Sequence, residues 1–125
     1  MRQVVVAAFL LVVVVGCDSD GGGRQPTARE RGGISAGAIH ELRPLLRSRH
    51  LRGRVHRILV SRRDAHFAPA EVDPLDANGH QVSETVDIVL VETAGKWTAL
   101  VDGTDLSSVC VNASPRPVRE VLRCR

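Results

Sequence analysis

Residues 84–101, ETVDIVLVETAGKWTALV, constrain the fold of this 125-residue chain more than any other stretch. In an extended Glu84–Thr93, Val86, Ile88 and Leu90 fall on one face and Val89 and Val91 on the other. A strand apolar on both faces at its middle belongs inside a sheet. Ala94-Gly95 then turns the chain into Lys96–Val101, where Trp97, Ala99 and Val101 alternate until Asp102-Gly103 ends the run. Arg54–Arg62 (RVHRILVSR), rich in β-branched residues, reads as another strand. His66–Leu75 carries Pro69 and Pro74, which points to an edge strand or an irregular segment. Asn78-Gly79 is a type I′ turn dipeptide with strand-like sequence after it.

Helical patterning flanks these strands. Ile34 to about Ser48 places Ile39, Leu42, Leu45 and Leu46 near one face, with Pro44 either kinking the helix or starting a second short turn. Near the other end Ser114 is expected as N-cap and Pro115 at the first helical position, followed by Val118, Val121 and Leu122 at i, i+3, i+4 spacing. The expected fold class is α+β: an N-terminal helix, a three- to four-stranded antiparallel sheet and a short C-terminal helix. After residue 16 the only aromatics are Phe67 and Trp97, so the core must be aliphatic. Trp97 is expected as a core residue against the C-terminal helix rather than a ligand platform. A domain this small buries a modest share of its surface and gains from a staple.

Ahead of the domain, Met1-Arg2-Gln3 carries one positive side chain and Val4–Val15 is twelve consecutive apolar residues. Twelve helical residues span about 18 Å, short of the roughly 30 Å hydrocarbon core, which suits the apolar region of a signal peptide better than a membrane span. The run ends Val14-Val15-Gly16-Cys17, which resembles the bacterial lipobox. The resemblance implies cleavage behind Gly16 and diacylglycerol thioether-linked to Cys17, hence an exported protein lipid-anchored on the extracytoplasmic face of the cell membrane. Its first partner would be membrane lipid, held through Cys17; two acyl chains give stable anchoring where one does not. Asp18 resembles the inner-membrane retention signal of enterobacterial lipoproteins. Asp18–Gly33 holds five glycines, a proline and six charged residues with no large apolar side chain, and is expected to be a flexible tether reaching on the order of 20 Å. The expected organisation is a signal peptide over 1–16, a lipidated cysteine and tether over 17–33, and one α+β domain over 34–125.

With Cys17 lipidated, Cys110 and Cys124 remain as an even pair in an oxidising setting, and a disulfide between them is expected. A metal site built on them lacks the C-x₂₋₄-C or H-x₃₋₅-H spacing, and a catalytic thiol would need its partner to stay reduced, so neither metal nor cofactor is expected. His40, His50, His56, His66 and His80 are scattered along the chain and define no ligand face. Asp64, Asp73, Asp76, Asp87, Asp102 and Asp105 could pair as acid and base, although turn and capping roles account for acids in loops. No phosphate-cradling loop, G-x-S-x-G, H-E-x-x-H or EF-hand pattern occurs. Asn112-Ala113-Ser114 matches a glycosylation sequon, which has no role in a lipobox protein.

Charge is unevenly placed. Ile34–Arg63 contains eight arginines and one acid, whereas Asp64–Asp105 contains nine acids and one base, Lys96. Such blocks either neutralise one another in the fold or steer an anionic partner such as a headgroup or a wall polymer. The arginine-rich stretch Arg43–Arg63 lacks interleaved aromatics for stacking bases, so no nucleic-acid partner is expected. One lysine against sixteen arginines reads as high-GC coding.

The run VHRILVSRRDAHFAPAEV, then GKWTALVDGT, then Cys110, Pro115, Val118, Leu122 and Cys124 resembles a group of small exported domains of high-GC bacteria. Their pattern is V-S-x-x-D-x-x-[WF]-A, a Gly-x-Trp strand and a terminal C…P-x-x-V…L-x-C. That group carries no assigned activity, so the resemblance implies the disulfide and the antiparallel sheet and no function. The expected function is a membrane-anchored envelope lipoprotein with a non-enzymatic domain that binds an envelope protein or polymer. Its rivals are a small envelope hydrolase using clustered carboxylates and a structural spacer. A deep pocket holding two carboxylates, or a histidine with an aspartate, would favour the enzyme; a flat surface with one patch would favour binding.

Overall fold

The hairpin that dominates the sequence forms one half of a four-stranded antiparallel sheet, its first strand inside and its second at the edge. The computed structural model describes residues 22–104, 109–110 and 115–124. Their elements are β1 (Gly23–Arg24), α1 (Ala28–Ser48), β2 (Arg52–Ile58), β3 (Val60–Ser61), β4 (Phe67–Leu75), β5 (Val86–Thr93), β6 (Lys96–Gly103) and α2 (Arg116–Leu122). The sheet order is β2-β4-β5-β6, and β1 pairs separately with β3. The class is α+β as expected, with Cys110 and Cys124 joined as a disulfide whose Cα atoms are 5.5 Å apart. The β5–β6 connection is the two-residue turn Ala94-Gly95, with φ of 51° and 77°. Two successive positive φ values match the type I′ turn, whose twist suits a hairpin.

β4 lies inside the sheet, not at its edge, despite Pro69 and Pro74. In a paired strand the N–H and C=O of one residue point the same way. The Pro69 carbonyl accepts from Leu59 N–H at 3.0 Å, so its ring nitrogen also faces that side, where β2 has already ended at Ile58. The Pro74 carbonyl accepts from Val82 N–H at 3.1 Å, on the side where β5 has not yet begun. Each proline thus withholds its missing donor where the ladder has run out. The Asn78-Gly79 expectation is also corrected. Gly79 alone of the pair takes a positive φ, 80°, and the loop closes through Gly79 N–H to Asp76 O and Asp76 N–H to His80 O. The Asp76 carboxylate accepts from the N–H groups of Asn78 and His80. That local acceptor makes a longer loop the better solution.

The folded domain starts earlier than Ile34. Residues 22–33, expected as tether, contain β1 and the first turns of α1. A capping box explains the start: Thr27 Oγ1 accepts from Glu30 N–H, and the Glu30 carboxylate accepts from Thr27 N–H. Arg24 then grips both Glu30 oxygens at 2.8 and 2.9 Å. These bonds, the one from Arg24 foremost, pull the Glu30 pKa from its ordinary 4.5 to about 2. A lowered carboxylate pKa contributes stability that is complete above the unfolded value and lost as pH falls. Between pH 4.5 and about 2, helicity at the start of α1 is therefore expected to fray before the sheet melts. Residue-resolved NMR shifts of residues 28–32 check this; a start that holds at pH 2 refutes it.

α1 includes Pro44 within one helix and buries Ile34, Ala38, Leu42 and Leu46 on the sheet. Leu45, expected on that face, is exposed instead. The main core lies between this stripe and Ala70, Val72, Ile88, Leu90 and Trp97. Trp97 is buried as expected, but against α1 rather than the C-terminal helix. A smaller core on the opposite face of the sheet joins Val89, Val109 and Val118, with Phe67, Val101 and Leu122 packed on it. α2 starts one residue late, with Pro115 as its N-cap and Arg116 first in the helix; Ser114 lies outside the described residues.

Candidate functional site

The sheet face turned away from α1 is only partly covered by α2, and its uncovered part holds charge. On β4, Ala70 and Val72 face the main core, so alternation sends Glu71 and Asp73 to the other face. Asp87 on β5 stands directly opposite Glu71 in register, and Arg57 on β2 is Glu71's other neighbour. The β2–β4 register slips between Val55 and Arg57, so His56 is an extra residue in the strand. A bulge of this kind re-aims a side chain. Here it puts the His56 ring between two carboxylates, with Nε2 2.9 Å from Glu71 and Nδ1 2.8 Å from Asp73.

Asp73 is the buried member, 3 % exposed. Thr85 Oγ1 donates to it at 2.7 Å and an Arg54 Nη2 donates at 3.0 Å. Burial opposes its charge, yet the bonds from Thr85 and Arg54 and the His56 and Arg54 charges outweigh burial and hold its pKa below the ordinary aspartate value. Asp87 is the opposite case. Burial first, then the negative charge of Glu71, push its pKa up, with His56 pulling weakly the other way. Among the described residues Asp87 has no hydrogen-bond or ion-pair partner.

Beside this cluster is a pocket of about 330 Å³. Its floor is apolar, from Leu59, Pro69 and Val89, and Val109, Val121 and Leu122 roof it from the C-terminal segment. Glu71, Asp87, Arg57 and Arg123 supply its polar rim. The geometry provides a half-apolar slot with one carboxyl held by His56 and, opposite it, a carboxyl of raised pKa that has no partner among the described residues. His56 bridges Glu71 and Asp73 instead of converging with them on a point, and no group of three potential ligands forms a metal site among the described residues.

The sequence-derived candidates scatter. Asp73 and Asp87 come together here. Asp64 binds the ring and N–H of His66, Asp76 organises its loop, and Asp102 is exposed on β6. Gly16, Cys17, Asp105 and the 112–114 sequon lie outside the described residues. Glu71 and His56 were missed. The signal for Glu71 was its i, i+2 spacing to Asp73, hidden by treating a proline-bearing strand as an edge; the bulge that aims His56 has no signature in the sequence.

The basic stretch is neutralised only in part. Arg54 pairs with Asp73 and Arg63 with Glu120, whereas Arg43, Arg47, Arg49, Arg52 and Arg57 have no ion-pair partner among the described residues. No helix of the described residues is long and apolar enough to cross a membrane. No family model matches this chain, and no curated protein or solved structure was found to match it.

Proposed function

We propose that this chain is an exported lipoprotein anchored through Cys17, and that its domain binds a ligand with a cationic or hydrogen-bond-donating head on an apolar body. The observation that carries the binding role is Asp87: a carboxyl without a partner among the described residues, half-buried opposite Glu71 on the rim of an apolar slot. A ligand ammonium there would satisfy both carboxylates while its hydrocarbon covers Val89, Val121 and Leu122. The anchor rests on Val14-Val15-Gly16-Cys17, and mass spectrometry of the mature N-terminal peptide tests it: a lipid-bearing Cys17 supports it and an unmodified N-terminus refutes it.

For the binding role, hexylamine is the probe and hexanol its uncharged control. Hexylamine is expected to shift NMR signals of Val89, Val121 and Leu122, and Asp87→Asn to weaken it roughly tenfold or more, the worth of a hydrogen bond to a charged group. Equal affinity for hexanol, or no effect of Asp87→Asn, would remove the carboxylate from the site.

A second reading is favoured by Asp87, its pKa raised by burial, standing directly opposite a second carboxyl, Glu71, the paired carboxyls that glycoside hydrolysis uses. Release of reducing ends from wall polysaccharide, abolished separately by Asp87→Asn and Glu71→Gln, would establish it. Absence of turnover with intact hexylamine binding leaves the binding module as the function.

A further inference from the structure

The described residues begin at Gly22, five residues along the chain from Cys17. At no more than about 3.6 Å per residue, that stretch spans at most about 18 Å whatever its conformation. An anchored domain must therefore stay beside the bilayer, and the corner where Gly22 emerges is the part held nearest. That corner is defined by contacts. The Gly22 carbonyl accepts from Arg62 N–H at 2.8 Å, and the Gly23 carbonyl accepts from Arg62 Nε at 2.9 Å. Gly22 also lies against Glu120 of α2, where an added Cβ would come within 3.0 Å. Arg63 and Arg116 both grip that Glu120.

The corner is strongly basic. Arg62, Arg63, Arg116 and Arg119 stand around the chain exit, all four exposed. Among the described residues Glu120 is the one acid beside them, and the next, Asp64, is already bound by His66. We infer that this corner of β3 and α2 is a docking face for anionic phospholipid headgroups, so that the anchored domain lies on the bilayer in one orientation rather than tumbling above it. The inference rests on the lipid anchor proposed above. The short reach lets the arginines come within a screening length of the surface, about 8–10 Å in physiological salt. There an anionic leaflet attracts each basic side chain enough to change occupancy roughly fivefold. The other basic group, Arg43, Arg47 and Arg52, belongs to the far half of α1 and the start of β2. α1 rises about 1.5 Å per residue, which puts Arg43 and Arg47 roughly 22–29 Å along the helix from Ala28 and makes them an internal control.

The test uses the full lipidated chain on two vesicle types, phosphatidylcholine alone and phosphatidylcholine with phosphatidylglycerol. Arginines are modified with phenylglyoxal and read out by mass spectrometry. Arg63, Arg116 and Arg119 are expected to react at least roughly fivefold more slowly on the phosphatidylglycerol vesicles, and to recover in 1 M salt. Arg43, Arg47 and Arg52 are expected to react alike on both. A chain that sediments with both vesicles but labels equally on them, or that protects Arg43, Arg47 and Arg52 instead, overturns the docking face alone. A chain that fails to sediment with phosphatidylcholine vesicles overturns the anchor on which the inference stands. Arg119→Gln, which leaves the Arg63–Glu120 pair in place, should relieve part of the slow labelling of Arg63, which a merely local structural role for Arg119 would leave unchanged.

Discussion

Opening the Cys110–Cys124 bond, by reductant or by the paired C110S and C124S substitutions, is expected to cost about 3 kcal/mol of stability. For a domain of this size that lowers the thermal midpoint by roughly 12–24 °C. The loop closed is short, with a sequence separation of 14. What makes the bond matter is the element it holds. α2 has seven residues, far below the length at which an isolated helix is stable in water. It is kept on the sheet by Val118 and Val121, and by the crosslink one residue past Arg123, whose φ of 55° ends the helix. Because Val121 and Leu122 roof the pocket, the first consequence is local. Hydrogen exchange in residues 118–122 should lose its protection while β4 and β5 keep theirs. Hexylamine binding should fall with it, below the temperature at which the sheet melts. A reduced protein that melts within about 2 °C of the oxidised one, or that loses protection everywhere at once, would show that apolar contacts alone hold α2.

Most of the fold was legible because its signals are local. β5 and β6 could be placed from alternation and a two-residue turn, and the two helices from apolar spacing. The disulfide followed from pairing two cysteines once Cys17 was set aside. Two kinds of contact caused the errors: local caps and acceptors that were overlooked, at Thr27 and Asp76, and contacts from elsewhere that outweighed local composition. Pro69 and Pro74 look unfit for an inner strand, yet each faces a gap that β2 and β5 leave. Gly32-Gly33 looks like linker, yet the cap at Thr27 and the room Trp97 needs make it helix. For the site, Asp73 and Asp87 were among many acids with nothing to rank them. Glu71 joins Asp87 only through the β4–β5 register, and His56 only through a bulge. Neither pairing can be read from one strand by itself.

Replacing Trp97 with Ala is expected to cost about 3–5 kcal/mol, the usual loss for a buried large aromatic. A domain of about 90 residues has only some 5–13 kcal/mol to lose. Trp97 is 6 % exposed in the main core, and α1 is shaped around it. A Cβ on Gly33 would lie 2.8 Å from the indole Cδ1, whereas a Cβ on Gly37 would lie 2.6 Å from the Trp97 carbonyl oxygen. The two glycines therefore make room for different parts of one residue, and they should respond differently to its removal. Gly33→Ala in the native background should cost about 1–3 kcal/mol through overpacking. In the Trp97→Ala background the obstacle is gone, and the same change should gain up to about 1 kcal/mol from helix propensity. Gly37→Ala should stay costly in both, because the carbonyl remains when the side chain is lost. Urea melts followed by circular dichroism supply the four corners of each cycle, and Trp97→Leu serves as the second background should Trp97→Ala not fold. A Gly33–Trp97 coupling beyond about 1 kcal/mol is expected, well above the few tenths that independent sites show. Equal costs of Gly33→Ala in the two backgrounds would mean that the indole does not set the helix's distance from the sheet. The early start of α1 would then rest on the Thr27–Glu30 cap and its Arg24 clamp alone.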